Sequence, residues 1–240
     1  MIMYFTGSLL CFDGCTGYVG TAARFRTRVR PHHRRSDVPG MTNRLAGAAI
    51  ITYQILLATV ILLRPEINPT HNPVSEYAIG RLGWVAVLAF LVAATAYALL
   101  FAAVRPLVRG RLGLSLLGIC VLGTVGVGVF VADPVATPWS AMTTVGRLHV
   151  VCGLSALVLL PFAALLINRE LARRLPAAAR VLRWTGWLPL ARLTLYALLS
   201  TVIPPEGWPP RLLFLTYAIW LVTLTHATGE SRKHADTVHR

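Results

Sequence analysis

The chain reads as an all-α, polytopic membrane protein: a six-helix transmembrane bundle with both termini cytoplasmic. Three observations predict it. Of the 240 residues, 55% are hydrophobic and only 13% charged, where a soluble domain would carry about 25% charged residues. Apolar runs recur at close to the ~20 residues that a helix rising 1.5 Å per residue needs to cross ~30 Å of hydrocarbon. The basic residues between those runs fall unevenly on alternate sides. A formal net charge of +14 would in a soluble protein suggest nucleic acid. Here the arginines separate segments too long for a recognition helix, so membrane lipids and not nucleic acid are the expected partner.

Residues 1–40 differ from everything after them. An apolar patch from Met1 to Phe12 is cut by Asp13 and followed by Arg24, Arg26, Arg28, Arg30, Arg34 and Arg35. The basic residues follow the patch instead of preceding it, and the patch is too short to span, so it is not a secretory signal. Two readings fit: a disordered basic arm drawn to anionic lipid, or upstream translation with Met41 as the true start. Cys11 and Cys15 lie here without a second pair or a histidine cluster, so no zinc site is expected of them. Cys120 and Cys152 fall within predicted spans, and no disulfide framework follows.

Six segments then make up a transmembrane domain over residues 41–228, followed by a tail over 229–240. They run from about Leu45 to Leu63, Gly83 to Val104, Leu112 to Val131, His149 to Ile167, Trp184 to Ile203, and Arg211 to Ala227. In hydrocarbon the backbone groups of each must pair within the segment, which makes helices the expected form. Without the first 40 residues, twelve basic residues share a side with the termini and four (Arg64, Arg81, Arg147, Arg211) face the other. That bias predicts cytoplasmic termini. It also places Glu66, Glu76, Asp133 and Glu206 together on the outer side.

The candidate chemistry gathers on that outer rim. The stretch Asn72 to Trp84 sets polar residues between two apolar runs; Ser75 offers a hydroxyl beside the Glu76 carboxylate, and Trp84 opens the next span as an interfacial aromatic. Asp133, before Pro134, closes the third span, and His149 opens the fourth, so a carboxylate and an imidazole share a depth. Such a pair orients a water, holds a metal, or simply pairs with itself. Ser75, Glu76, Asp133 and His149 are therefore the candidate catalytic residues. Ser75 has a plainer reading as a helix cap, and Asp133 and His149 have plainer readings as a turn residue and an interfacial polar group.

Arg192, Arg211 and Trp84 are the candidate ligand-binding residues. Arg192 is the costliest, because an arginine in mid-span carries about 2.5 to 3.5 kcal/mol. An inward carboxylate, carbonyls freed near Pro189, or snorkelling toward the cytoplasmic interface would compensate it. The glycines Gly113, Gly118, Gly123, Gly126 and Gly128 of the third span read as packing, with Thr124 and Gly128 at small-x-x-x-small spacing. Tyr217 and Trp220 read as bundle or lipid-facing aromatics. With no Walker loop, dinucleotide fingerprint, C-x-x-C-H or H-E-x-x-H run, no cofactor or metal is expected.

The run from Asn72-Pro73 to Trp84, most specifically its Ser75-to-Trp84 part, the Phe130-x-x-Asp133-Pro134 loop, the Gly146-x-x-His149 helix start, and Gly207 with Arg211 before a Trp220-bearing last span together resemble the bacterial and archaeal membrane proteins of domain of unknown function family 998. The likeness covers about Leu45 to Thr228 and departs from the pattern at Val131 and Pro210. It implies six spans and an activity not assigned, and the plasma membrane of a prokaryote is the expected setting. A looser similarity is to membrane hydrolases of the alkaline ceramidase and adiponectin-receptor type, which gather Ser, Asp and His near one membrane face around zinc. Here His149 and His71 would need Asp133 or Glu76 as further ligands.

The expected function is binding of a lipid headgroup or small polar ligand in an outward-facing polar pocket. The alternatives are a membrane-embedded acid-base or metal-assisted lipid hydrolase and a small-molecule transporter. Transport is disfavoured by the lack of an internal repeat.

Overall fold

The computed structural model describes residues 38–200 and 207–238. Both readings of the first 40 residues, and the Glu206 position, lie outside or at the edge of that range. Six helices follow in order: α1 (Val38–Leu63), α2 (Gly83–Val104), α3 (Arg111–Val129), α4 (Thr144–Arg174), α5 (Ala179–Leu199) and α6 (Trp208–Val238). Short 3-10 turns occupy Val74–Ala78, Trp139–Ala141 and Pro176–Ala178, and among the described residues there is no strand. The protein is an all-helical, multi-pass membrane protein.

Helix ends depart from the apolar segments by several residues. α4 begins at Thr144 because the Thr143 hydroxyl accepts the Gly146 amide at 3.0 Å, a side-chain N-cap. His149 therefore lies inside the helix instead of at its head. α6 continues past the last apolar residues to Val238. Hydropathy marks where the chain is greasy, whereas caps and prolines set where helical hydrogen bonding starts and stops.

Five helices, all but α5, are long and apolar enough to cross a membrane. α5 carries Arg180, Arg183 and Arg192 within 21 residues. Its neighbours nevertheless require it to run the length of the bundle. α1 and α6 are antiparallel: Asn43 Nδ2 donates to Thr228 Oγ1 at one end, while Gly207 packs on Thr70 at the other. α4 is antiparallel to α3, since Gly113 meets Ile167 while His149 meets Phe130. α4 thus finishes at the end where α1 starts, and α6 begins at the opposite end. Only α5, ~31 Å long at 1.5 Å per residue, brings the chain across.

One end of the bundle, here the rim, carries the loops 64–82 and 130–143. The other carries 105–110 and 175–178 and most of the arginines. Trp84, Trp139 and Trp208 are exposed at the rim, and Trp184 and Trp187 are exposed toward the arginine-rich end. Two aromatic girdles are what a protein spanning a bilayer presents at its two interfaces.

Packing depends on small residues and on a few buried polar groups. A Cβ at Gly123 would lie 2.7 Å from the Cys152 carbonyl, and one at Gly126 would overlap the Cys152 sulfur. The glycines of α3 thus let α4 approach closely, and Gly128 does the same for Leu91 of α2. Asn168, 1% exposed, donates to the Leu182 carbonyl (2.8 Å) and to Thr185 Oγ1 (3.2 Å), and accepts from Trp220 Nε1 (3.1 Å). One amide so ties α4, α5 and α6 together. Pro161 lacks an N–H and leaves the Leu157 carbonyl of its own helix without a helical donor. Tyr217 of α6 donates its hydroxyl there at 2.6 Å.

Candidate functional site

The rim loop between α1 and α2 is built by local hydrogen bonds. Asn68 Oδ1 accepts the Thr70 amide at 2.9 Å, an Asx turn, and Gly80 takes φ of +88°, a conformation that favours glycine. Arg64 donates to the Ile79 carbonyl (2.7 Å) and to Glu66, which closes the loop on itself and lowers the Glu66 pKa. Tyr77 is fully buried and donates to the Ile67 carbonyl at 3.0 Å. Burial holds its phenol above the usual range, partly countered by the nearby Arg211 charge.

Arg211 docks this loop onto the first turn of α6. It is 5% exposed, and its Nη1 donates to the carbonyls of Gly207 (2.7 Å), Pro69 (2.9 Å) and Asn72 (3.0 Å). The guanidinium carbon sits 5.7 Å from the centre of the Tyr77 ring, within cation–π range. Gly207 lies so close to the Thr70 carbonyl that no side chain fits between them. The other side of the guanidinium differs. Nε and Nη2 are buried and have no hydrogen-bond partner among the described residues. Those two atoms form the side-on fork that pairs with both oxygens of a carboxylate or phosphate.

The remaining candidates fall into separate local groups. Glu76 accepts from Asn72 Nδ2, the residue whose carbonyl receives Arg211. Ser75 is half-buried, and no side-chain cap forms at the Val74–Ala78 turn or at α2. Asp133 accepts from the Thr143 amide (2.7 Å) and the Thr143 hydroxyl (3.1 Å), pressed against Gly146. It therefore holds the N-cap of α4. His149 is 6% exposed, with Nδ1 2.7 Å from the Phe130 carbonyl and its ring edge-on to Phe90. A carbonyl only accepts, so Nδ1 carries the proton and Nε2 is left as the basic nitrogen.

Among the described residues no hydrogen bond joins Ser75, Glu76, Asp133 and His149 to one another, and no three His, Cys, Asp or Glu side chains come together as metal ligands. Trp84 is 64% exposed at the start of α2. Arg192 is half-buried, seven residues before the end of α5. That is ~10 Å from the rim and ~20 Å from the other end, so the shorter snorkelling path runs to the rim, not to the arginine-rich end. A cavity of about 670 Å³ at the arginine-rich end and a groove of about 550 Å³ between α1 and α6 are lined by none of these residues.

Three contributors carried little sequence signal. Thr143 and Asn168 are single polar residues in or beside apolar segments, and Tyr217 is one aromatic among many. Pro161 inside a long apolar run was the one available hint, since such a proline always leaves a carbonyl to be satisfied.

Residues 45–227 match the family described as "Protein of unknown function (DUF998)", well over half of the chain, and the chain belongs to that family. No curated protein and no solved structure matches it.

Proposed function

We propose that this DUF998 protein sits in the plasma membrane of a prokaryote and holds a lipid headgroup or small polar ligand at its outward-facing rim, anchored by Arg211. The observation that carries this reading is the buried Nε/Nη2 edge, which no described residue partners. Leaving a buried donor unmade costs on the order of 1–3 kcal/mol, and more for a charged group. A carboxylate or phosphate set against the fork removes that cost and adds a charge-assisted pair. Glu76, Asp133, His149 and Ser75 supply polar surroundings at the same rim, Trp84 an aromatic at headgroup depth, and Arg192 a second cation nearer the rim than the far side.

The test is recovery of bound ligand. Full-length protein purified in mild detergent is analysed by mass spectrometry beside Arg211→Lys, which keeps the charge and loses the fork. About a tenfold fall in bound anionic ligand, roughly 1.4 kcal/mol, is expected with the fold retained. Glu206→Gln distinguishes a ligand from a carboxylate of the same chain. Ligand retained in Glu206→Gln supports the reading. Wild-type protein that yields no ligand, with Glu206→Gln and Arg211→Lys equally destabilised, counts against it. Reporter fusions at the 130–143 loop check the orientation, which the arginine bias assigns to the outer face.

A second reading, acid–base hydrolysis of a lipid, has one observation in its favour. The Phe130 carbonyl fixes the His149 tautomer with Nε2 as the basic nitrogen, as a general base requires. His149→Gln with lipid turnover unchanged would remove it.

A further inference from the structure

At the arginine-rich end, the start of α3 and the last turns of α4 line the cavity of about 670 Å³, which is open on one side and of a size typical of ligand pockets. Its wall is divided by chemistry. Leu112 and Leu166 make an apolar side, and Arg109, Arg169, Arg173 and Arg174 face it with a single carboxylate, Glu170, among them.

That carboxylate is fully used. Its Oε1 accepts from the Arg109 amide (2.6 Å) and from Arg174 Nη2 (2.8 Å), and its Oε2 from the Gly110 amide (2.9 Å). The open amides at the start of α3 and one guanidinium thus already have their anion, supplied by α4. The side chains of Arg109, Arg169 and Arg173 are exposed and make no hydrogen bond or ion pair with another described residue. Three uncompensated guanidiniums therefore border a cavity whose other wall is leucine, at a level where two spans leave the hydrocarbon.

We propose that this cavity is a binding site for an anionic phospholipid, with the headgroup phosphate on Arg109, Arg169 and Arg173 and the acyl chains along Leu112 and Leu166. A phosphate offers acceptor oxygens in the geometry guanidiniums match. Basic pockets between spans on the cytoplasmic side are suited to acidic headgroups, whose leaflet is negatively charged. A free anion would leave the apolar wall unused, and a zwitterionic lipid would bring its own cation toward the arginines. The site is independent of Arg211, which lies at the opposite end of the bundle.

The experiment uses delipidated full-length protein in detergent, titrated with phosphatidylglycerol, with phosphatidylcholine of the same acyl chains, or with inorganic phosphate. Phosphatidylglycerol is expected to raise the thermal midpoint saturably and the other two to leave it unchanged. An equal rise with phosphatidylcholine, a rise reproduced by inorganic phosphate, or no rise with any of them overturns the proposal. Arg169→Gln/Arg173→Gln is expected to weaken phosphatidylglycerol binding at least tenfold. Arg105→Gln/Arg111→Gln, at the same end but outside the cavity wall, is expected to weaken it less than threefold. Equal weakening in both variants would reduce the effect to general surface charge and sink the assignment.

Discussion

The hydroxyl of Tyr217 on α6 donates to the backbone carbonyl of Leu157 on α4 at 2.6 Å, the carbonyl that Pro161 leaves without its helical donor. A proline inside a span is tolerated when a neighbour satisfies the group it frees. Here the neighbour is a side chain from a different helix, so the break in α4 becomes a junction between α4 and α6.

That relationship predicts a coupling. Tyr217→Phe should destabilise the protein by about 0.6–2 kcal/mol, the range for interhelical hydrogen bonds in membranes. In a Pro161→Ala background, where residue 161 regains its N–H, the same substitution should cost much less. The measurement is a double-mutant cycle on unfolding in mixed micelles. Costs that simply add would show that the hydroxyl and the proline act separately.

Gly207→Ala should loosen the rim. Its Cβ would collide with the Thr70 backbone, and a backbone clash is relieved only by moving the loop. The expected result is a lower thermal midpoint, by several degrees, together with faster proteolysis within residues 64–82. An unchanged cleavage pattern would mean that the loop is held without the Gly207 contact.

The rim loop should also open at alkaline pH. Burial raises the Tyr77 pKa above the ordinary phenol value of 10.0. A group whose folded pKa is raised contributes stability that is complete below the unfolded value and lost as pH rises through the folded one. Protease access to the loop should therefore increase as pH climbs above ~10, and Tyr77→Phe should flatten that part of the profile. A profile that stays the same in Tyr77→Phe would assign the opening to other groups.

How much of this was legible before folding varies with the residue. Arg211 stood out as one of only four basic residues on its side, but its three carbonyl partners come from Gly207, Pro69 and Asn72, up to 142 positions away. The Asp133 and His149 depth match was read from the segment ends. In the folded chain Asp133 serves the cap at Thr143 and His149 the Phe130 carbonyl. The glycines of α3 were expected to pack, and they do: Gly113, Gly123 and Gly126 meet α4 and Gly128 meets α2, a division that spacing alone does not give. Glu170 gave no signal at all, being a lone acid in an arginine-rich run.

Sequence by itself determined that the chain crosses a membrane as helices, and which end carries the arginines. Those properties follow from local hydropathy and charge, because hydrocarbon obliges each span to satisfy its own backbone. Only the tertiary structure decided which polar groups are spent and which are spare. Pairing depends on what a distant helix or loop brings within about 3 Å, and three carbonyls reach Nη1 of Arg211 while no described residue pairs with Nε or Nη2.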